Sequence, residues 1–239
     1  MGAETQQAEG VSNRYPYERK GILFVVSAPS GAGKTTLCKR VVASISGLWH
    51  SVSYTTRKPR MGEEGGREYY FVEEQVFQDM IARQEFLEYA RVYGNWYGTP
   101  RKVLMDKLAQ GIDVLLEIDV QGALQIKKNF EDAVLIFILP PSLDTLRDRL
   151  EKRGSDSPEE IHRRLQKVQE EVRSFRDYCY LVLNDDLGQS LRELQSIFLA
   201  ERLRTGRIDT NWLNRLFSLD GETVKTDQHH HSLSSSQEL

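Results

Sequence analysis

Apolar and polar positions alternate along the chain in two distinct rhythms. "ILFVVS" at 22–27, "DVLLEID" at 113–119 and "AVLIFIL" at 133–139 are unbroken apolar runs, the pattern of strands buried on both faces of a parallel sheet. "YLVL" at 180–183 is a shorter run of the same kind. Between them the spacing turns helical. Leu37, Val41, Val42 and Ile45 recur on one face after "KTT", and helices are expected over about 73–83 and 188–204. Thr99 and Pro100 read as the N-cap and first residue of a helix that stops at Gly111. A helix from Ser142 ends at Gly154, and "SPEE" at 157–160 is a capping box that opens a long helix to about 177. Strands alternating with helices predict a doubly wound parallel α/β sheet.

One stretch breaks that rhythm. "SVSYTT" and "EYYFV" are short, aromatic and β-branched, separated by the loop "RKPRMGEEGGRE", so about 53–98 reads as an inserted β-rich lobe. Residues 1–19 are polar without period and are expected to be a disordered leader. The tail 206–239 is expected to be mostly disordered, with "NWLNRLF" as a short helix docked on the body in preference to an oligomer contact.

Composition narrows the class. The 239 residues are 39% hydrophobic and 28% charged, with a net charge of −3 and a pI near 6.0, so nothing favours nucleic acid or an anionic membrane. No run reaches the roughly 20 apolar residues of a membrane span, and "MGAETQQAEG" lacks the pattern of a signal peptide. Cys38 and Cys179 read as reduced core residues of a cytoplasmic protein.

The candidate chemistry begins at "SAPSGAGKTT". A phosphate-binding loop has the form Gly-x4-Gly-Lys-[Ser/Thr] between a strand and a helix. Here the positions are Ala28, Pro29, Ser30, Gly31, Ala32, Gly33, Lys34 and Thr35, in that context. Backbone N–H groups would close around phosphate oxygens, Lys34 would reach the β/γ-phosphates, and the Thr35 hydroxyl would bind Mg²⁺. Ala28 departs from the pattern, so that position must tolerate a Cβ. In the lobe, Arg57 and Arg60 flank the rigid Lys58–Pro59 turn and can converge on one anion, with Tyr69 as a hydroxyl donor, although charge alone would favour a solvated basic turn. Glu117 and Asp119 share one face at the C-terminal end of a buried strand, where ligands gather in open α/β sheets, although one of them could instead cap the next helix. Arg147, Arg149, Arg153, Arg163 and Arg164 crowd one segment, as closure over a transferring phosphoryl group requires, or as a solvated helix allows.

"SAPSGAGKT", "SVSYTTRKPRMGEEGGREYYFV", "EFLEYARVYGNWYGT", "EIDVQGA", "LEKRGSDSPEEIHRRL" and "VLNDDL" follow one another in this order. Together they resemble guanylate kinase over about 20–205. The resemblance implies a P-loop core with an inserted GMP-binding lobe and a helical lid over about 147–172, and the reaction ATP + GMP ⇌ ADP + GDP with Mg²⁺. It implies that residues 28–36, ending in Thr36, hold ATP, with Asn184 near the adenine. It implies that Arg57, Arg60, Tyr69 and Tyr97 hold the GMP phosphate. Ser53, Glu88, Thr99 and Asp119 would contact guanine, and Glu117 a Mg²⁺-bound water. Lys34, Arg149, Arg153 and Arg164 would carry the chemistry, while Arg147 and Arg163 stay on the surface. Small-molecule substrates are then the expected partners, without nucleic acid or membrane, in the cytoplasm, and the oligomeric state is left open. Two other readings compete: a silent guanylate-kinase-like interaction module, which typically loses parts of the loop that this chain keeps at Gly33, Lys34 and Thr35, and a kinase for another nucleotide, opposed by Ser53, Glu88 and Thr99.

Overall fold

The computed structural model describes residues 19–153, 157–208 and 210–218. The expected leader up to residue 18, the lid tip at 154–156 and the chain beyond 218 lie outside the described residues. Two units are separable, Met1–Ile208 and Asp209–Leu239.

In the first unit the apolar runs form a five-stranded sheet. Its order is β2 (Leu48–His50), β7 (Asp113–Glu117), β1 (Leu23–Ser27), β8 (Val134–Leu139), β9 (Tyr180–Leu183). Every neighbouring pair is parallel. The central strands β1, β7 and β8 are buried on both faces, which explains why they read as unbroken apolar runs. Helices α1 (Lys34–Ser44) and α7 (Leu187–Arg202) cover one face, where Phe24 stacks on Phe198 with ring centroids 4.0 Å apart. Helices α3 (Arg101–Ala109) and α4 (Val120–Asn129) pack Leu104, Ala123 and Ile126 against the other.

The lobe is a second, four-stranded sheet. It runs β4 (Tyr70–Phe71), β3 (Tyr54–Thr55), β6 (Asn95–Pro100), β5 (Phe86–Val92), with α2 (Glu74–Ala82) beside it. Phe77, Met80 and Phe86 make its own small core. The lid segment is a helix pair, α5 (Leu143–Arg153) and α6 (Pro158–Arg173), joined by Leu146, Leu150, Ile161 and Val168. The capping box forms as expected: the Ser157 hydroxyl accepts from the Glu160 N–H, and the Glu160 carboxylate accepts from the Ser157 N–H. In the second unit, residues Thr210–Phe217 form α8.

Several local expectations are corrected. Thr99 is not a helix cap: it is the fifth residue of β6, fully buried, and the helix begins at Arg101 after Pro100 in the cap position. The long helix ends at Arg173, and Ser174–Asp177 is a 3-10 turn. Cys38 is buried, but Cys179 is exposed. Period-two alternation explains this, because Cys179 shares the uncovered face of edge strand β9 with Leu181 and Leu183. Strand β2, three residues long, is too short for a periodicity to announce it.

A deep buried ion cluster ties the two ends of the first unit. Asp113 is fully buried and accepts from Arg19 Nη1 at 2.5 Å, Arg202 Nε at 2.6 Å and the Ile22 N–H at 2.9 Å.

Candidate functional site

A cavity of about 440 Å³ opens at the C-terminal ends of β1 and β7. One wall is the loop from Ala28 to Thr36, between β1 and α1. The loop is shaped by Gly31 and Gly33, at φ 92° and 89°, in the left-handed region that side chains avoid. Gly33 also lies so close to the Asn184 side chain that a Cβ there would overlap it. Ala28, where the pattern has glycine, is absent from the positive-φ positions of the described residues, so its methyl group is borne without strain. The Lys34 ammonium donates to the Ile118 carbonyl at 2.7 Å. The Thr35 hydroxyl donates to Glu117 Oε1. His50 Nε2 stands 3.7 Å from the other Glu117 oxygen, and burial holds that imidazole below its ordinary pKa.

This hydroxyl–carboxylate pair beside a phosphate-shaped loop is an all-oxygen donor set. It fits a hard divalent ion such as Mg²⁺, which needs one or two protein oxygens and completes its shell with water and phosphate. No cluster of three or more His, Cys, Asp or Glu forms a metal cage among the described residues.

The opposite wall comes from the lobe. Ser53, Arg60, Tyr69, Glu88 and Tyr97 line it. Tyr69 and Tyr97 meet edge to face with centroids 5.7 Å apart. Arg57 does not line the cavity: its guanidinium pairs with Glu63 at 2.9 Å and lies over the Tyr69 ring at 5.4 Å. Glu63 was not foreseen. It also accepts from the Arg60 backbone N–H at 2.8 Å, so one carboxylate braces both ends of the Arg57–Arg60 turn.

Glu88 is the most perturbed carboxyl of the site. It is 4% exposed on β5 and accepts from the Thr99 hydroxyl at 2.6 Å across the β5–β6 ladder. Its other oxygen leans on Gly122 at the start of α4, where any side chain would overlap it. Burial pushes its pKa up to about 7, the Asp119 charge adds to the rise, and the Thr99 bond opposes it. Asp119 lines the cavity while its side chain caps α4, accepting from the Gly122 N–H at 3.0 Å. Of the two carboxylates at the end of β7, this is the one that takes the capping role.

Helices α5 and α6 supply the third wall. Arg149 lines the cavity and donates to the Asn184 carbonyl at 3.1 Å. Arg164 donates to Ser30 Oγ at 2.7 Å. The Arg153 side chain lies outside the described residues. Asn184 is buried, with its amide donating to the Ala32 carbonyl at 2.6 Å, so it braces the loop from behind. Glu171 on α6 also lines the cavity, and burial raises its pKa against the pull of Lys167. It lies seven residues after Arg164, on the same helical face, a spacing that could have revealed it.

Comparison with known proteins agrees with this architecture. Residues 20–201 match the family model described as guanylate kinase. The chain is 53% identical over 186 residues to guanylate kinase of Dechloromonas aromatica, covering 78% of this chain and 92% of that one. It is 49% identical over 190 residues to guanylate kinase of Carboxydothermus hydrogenoformans, covering 80% and 93%. A crystal structure of guanylate kinase from Anaplasma phagocytophilum superposes with a TM-score of 0.73 at 32% identity, covering 85% of this chain and 99% of that one.

Proposed function

This chain belongs to the guanylate kinase family and catalyses ATP-dependent phosphorylation of GMP, and we propose how its residues divide that work. The observation that carries the proposal is one cavity with two unlike walls: a Gly-rich phosphate loop with Lys34, and a buried carboxylate, Glu88, held by Thr99.

ATP phosphates lie along the 28–36 loop, held by its backbone N–H groups and Lys34. On ATP binding the Lys34 ammonium exchanges its Ile118 carbonyl for phosphate oxygens. Thr35 and Glu117 would hold Mg²⁺, which would neutralise charge on the phosphates. GMP enters the lobe with its phosphate toward Arg60, Tyr69 and Tyr97. Arg57, braced by Glu63, adds positive charge from behind Tyr69.

Glu88 reads the base. Guanine offers N1–H and the 2-amino group as adjacent donors, and a carboxylate can accept from both. Ser53 and Asp119 complete the guanine pocket. Thr99 acts through Glu88, because its hydroxyl is already committed there. The chemistry itself needs alignment and charge stabilisation rather than a dedicated base. Phosphoryl transfer spreads charge over the equatorial oxygens, and Arg149, Arg153 and Arg164 of the lid meet it with Lys34. Retention of these arginines with the intact loop favours turnover over a silent interaction module.

A coupled assay of ADP formation, run with GMP, AMP, CMP and UMP, tests the reading in the cytoplasmic range of ATP. GMP should be the efficient acceptor. Equal rates with AMP would refute the assignment of Glu88 as the base reader.

A further inference from the structure

The hairpin between β5 and β6 turns through only two residues, Tyr93 at φ 48° and Gly94 at φ 84°. Such a turn needs positive φ at both central positions, and Asn, Asp or Gly normally supplies the first. Tyrosine there carries a backbone cost that asparagine would not. Packing does not offset it in the usual way, since Tyr93 remains 50% exposed.

What the ring does meet is the lid. The Arg164 guanidinium lies 5.2 Å from its centroid and the Lys167 ammonium 4.7 Å. Both belong to α6, three residues apart and so on one face. Lys167 is steadied from behind by Glu171 at 3.4 Å. The same Arg164 donates to Ser30 of the phosphate loop at 2.7 Å. One guanidinium thus touches the ATP-side loop and the tip of the GMP-side lobe at once.

We propose that Tyr93 is a positioning residue: its ring docks the hairpin tip on α6 and holds Arg164 against the phosphate loop, so that filling the GMP lobe sets the lid arginine. This rests on the kinase reading above. A cation over an exposed aromatic face is worth a factor of roughly 2–5, and two such contacts on one ring make about a tenfold effect.

The full chain, as wild type, Tyr93→Phe and Tyr93→Asn, separates this role from a structural one. All three side chains stand on the same turn, and asparagine relaxes it. Tyr93→Asn should therefore fold with an equal or higher Tm while kcat falls about tenfold. Tyr93→Phe keeps the ring and should stay within about twofold of wild type. Independently of turnover, GMP alone should slow amide hydrogen exchange along α6 in wild type and Tyr93→Phe, and not in Tyr93→Asn. Unchanged kcat in Tyr93→Asn, a Tm that drops with kcat, equal losses in both variants, or the same GMP-dependent protection of α6 in Tyr93→Asn would each overturn the proposal. Wild type that forms no ADP with GMP would count against the kinase reading instead, and the exchange data would still judge Tyr93.

Discussion

Glu88→Gln is the most informative single change. In the native site both carboxylate oxygens are buried, one taking the Thr99 hydroxyl at 2.6 Å and the other against Gly122. Guanine would give this group two more hydrogen bonds, and bonds to a charged acceptor contribute about 1.5–3 kcal/mol each. The amide keeps one acceptor and turns an N–H₂ toward a donor of the base, so one bond is lost and one contact becomes repulsive. About 3 kcal/mol corresponds to a fall in kcat/KM for GMP on the order of 100-fold. AMP should be disfavoured already in the native site and gain or lose little, so the GMP-over-AMP ratio should collapse. The pH profile gives a second, sharper reading. Guanine needs the ionised carboxylate, whereas burial has raised the pKa to about 7. In wild type kcat/KM for GMP should then climb about tenfold per unit as pH rises toward 7 and level off above it. The substrate phosphate titrates in the same region, but equally for both proteins, so the ratio of wild type to Glu88→Gln isolates the Glu88 limb. The stability of the free protein runs the other way. A carboxyl whose folded pKa is raised favours the protonated form, so stability is full below the ordinary value of 4.5 and declines as pH rises through about 7. Glu88→Gln should remove that decline. If the variant keeps native GMP turnover and selectivity, or shows the same pH limb, guanine is read by other groups and this account of the lobe fails.

The other perturbations test separate parts. Lys34→Met should fold normally and lose at least ~100-fold in kcat, measured by the coupled assay, because one preorganised cation is removed from the phosphates. Arg149→Ala should lower kcat more than it raises KM for GMP, and a pure KM change would make this arginine an ordinary binding residue. Asp113→Asn leaves Arg19 and Arg202 facing each other without their shared carboxylate, so urea titration should show a loss of about 3–5 kcal/mol with kcat of the folded protein intact.

The parallel core was readable because its strands are buried on both faces and therefore unbroken in sequence, as in "VLIFIL" of β8. The phosphate loop was readable for a local reason: strand, glycines, lysine and helix are contiguous. Thr99 was misread because a Thr–Pro pair before a helix carries a capping signal, and only the pairing of Thr99 with Glu88 reveals the hydroxyl as a strand residue facing a carboxylate. Arg57 and Glu63 are six residues apart across an irregular loop, a spacing with no periodic rule. Cys179 was misplaced because "YCYLVL" looks uniformly apolar, and edge or centre is a property of the whole sheet order. Asn184 shows the limit from the other side: its position in the chain could be matched, but its grip on the Ala32 carbonyl, 152 residues away, is a product of the fold.

The Asp113 cluster has a bearing on how the chain is born. Synthesis delivers Arg19 first, Asp113 ninety-four residues later, and Arg202 a further eighty-nine. Phe198, the ring that covers Phe24, arrives with Arg202 on the same helix. While α7 is still inside the ribosome, the nascent sheet holds a carboxylate with one of its two cations missing and an uncovered apolar face. Both defects disfavour early closure. Folding of the core is therefore expected to wait for the last helix of the first unit, and a chain released before residue 202 should be the form that cellular proteases remove.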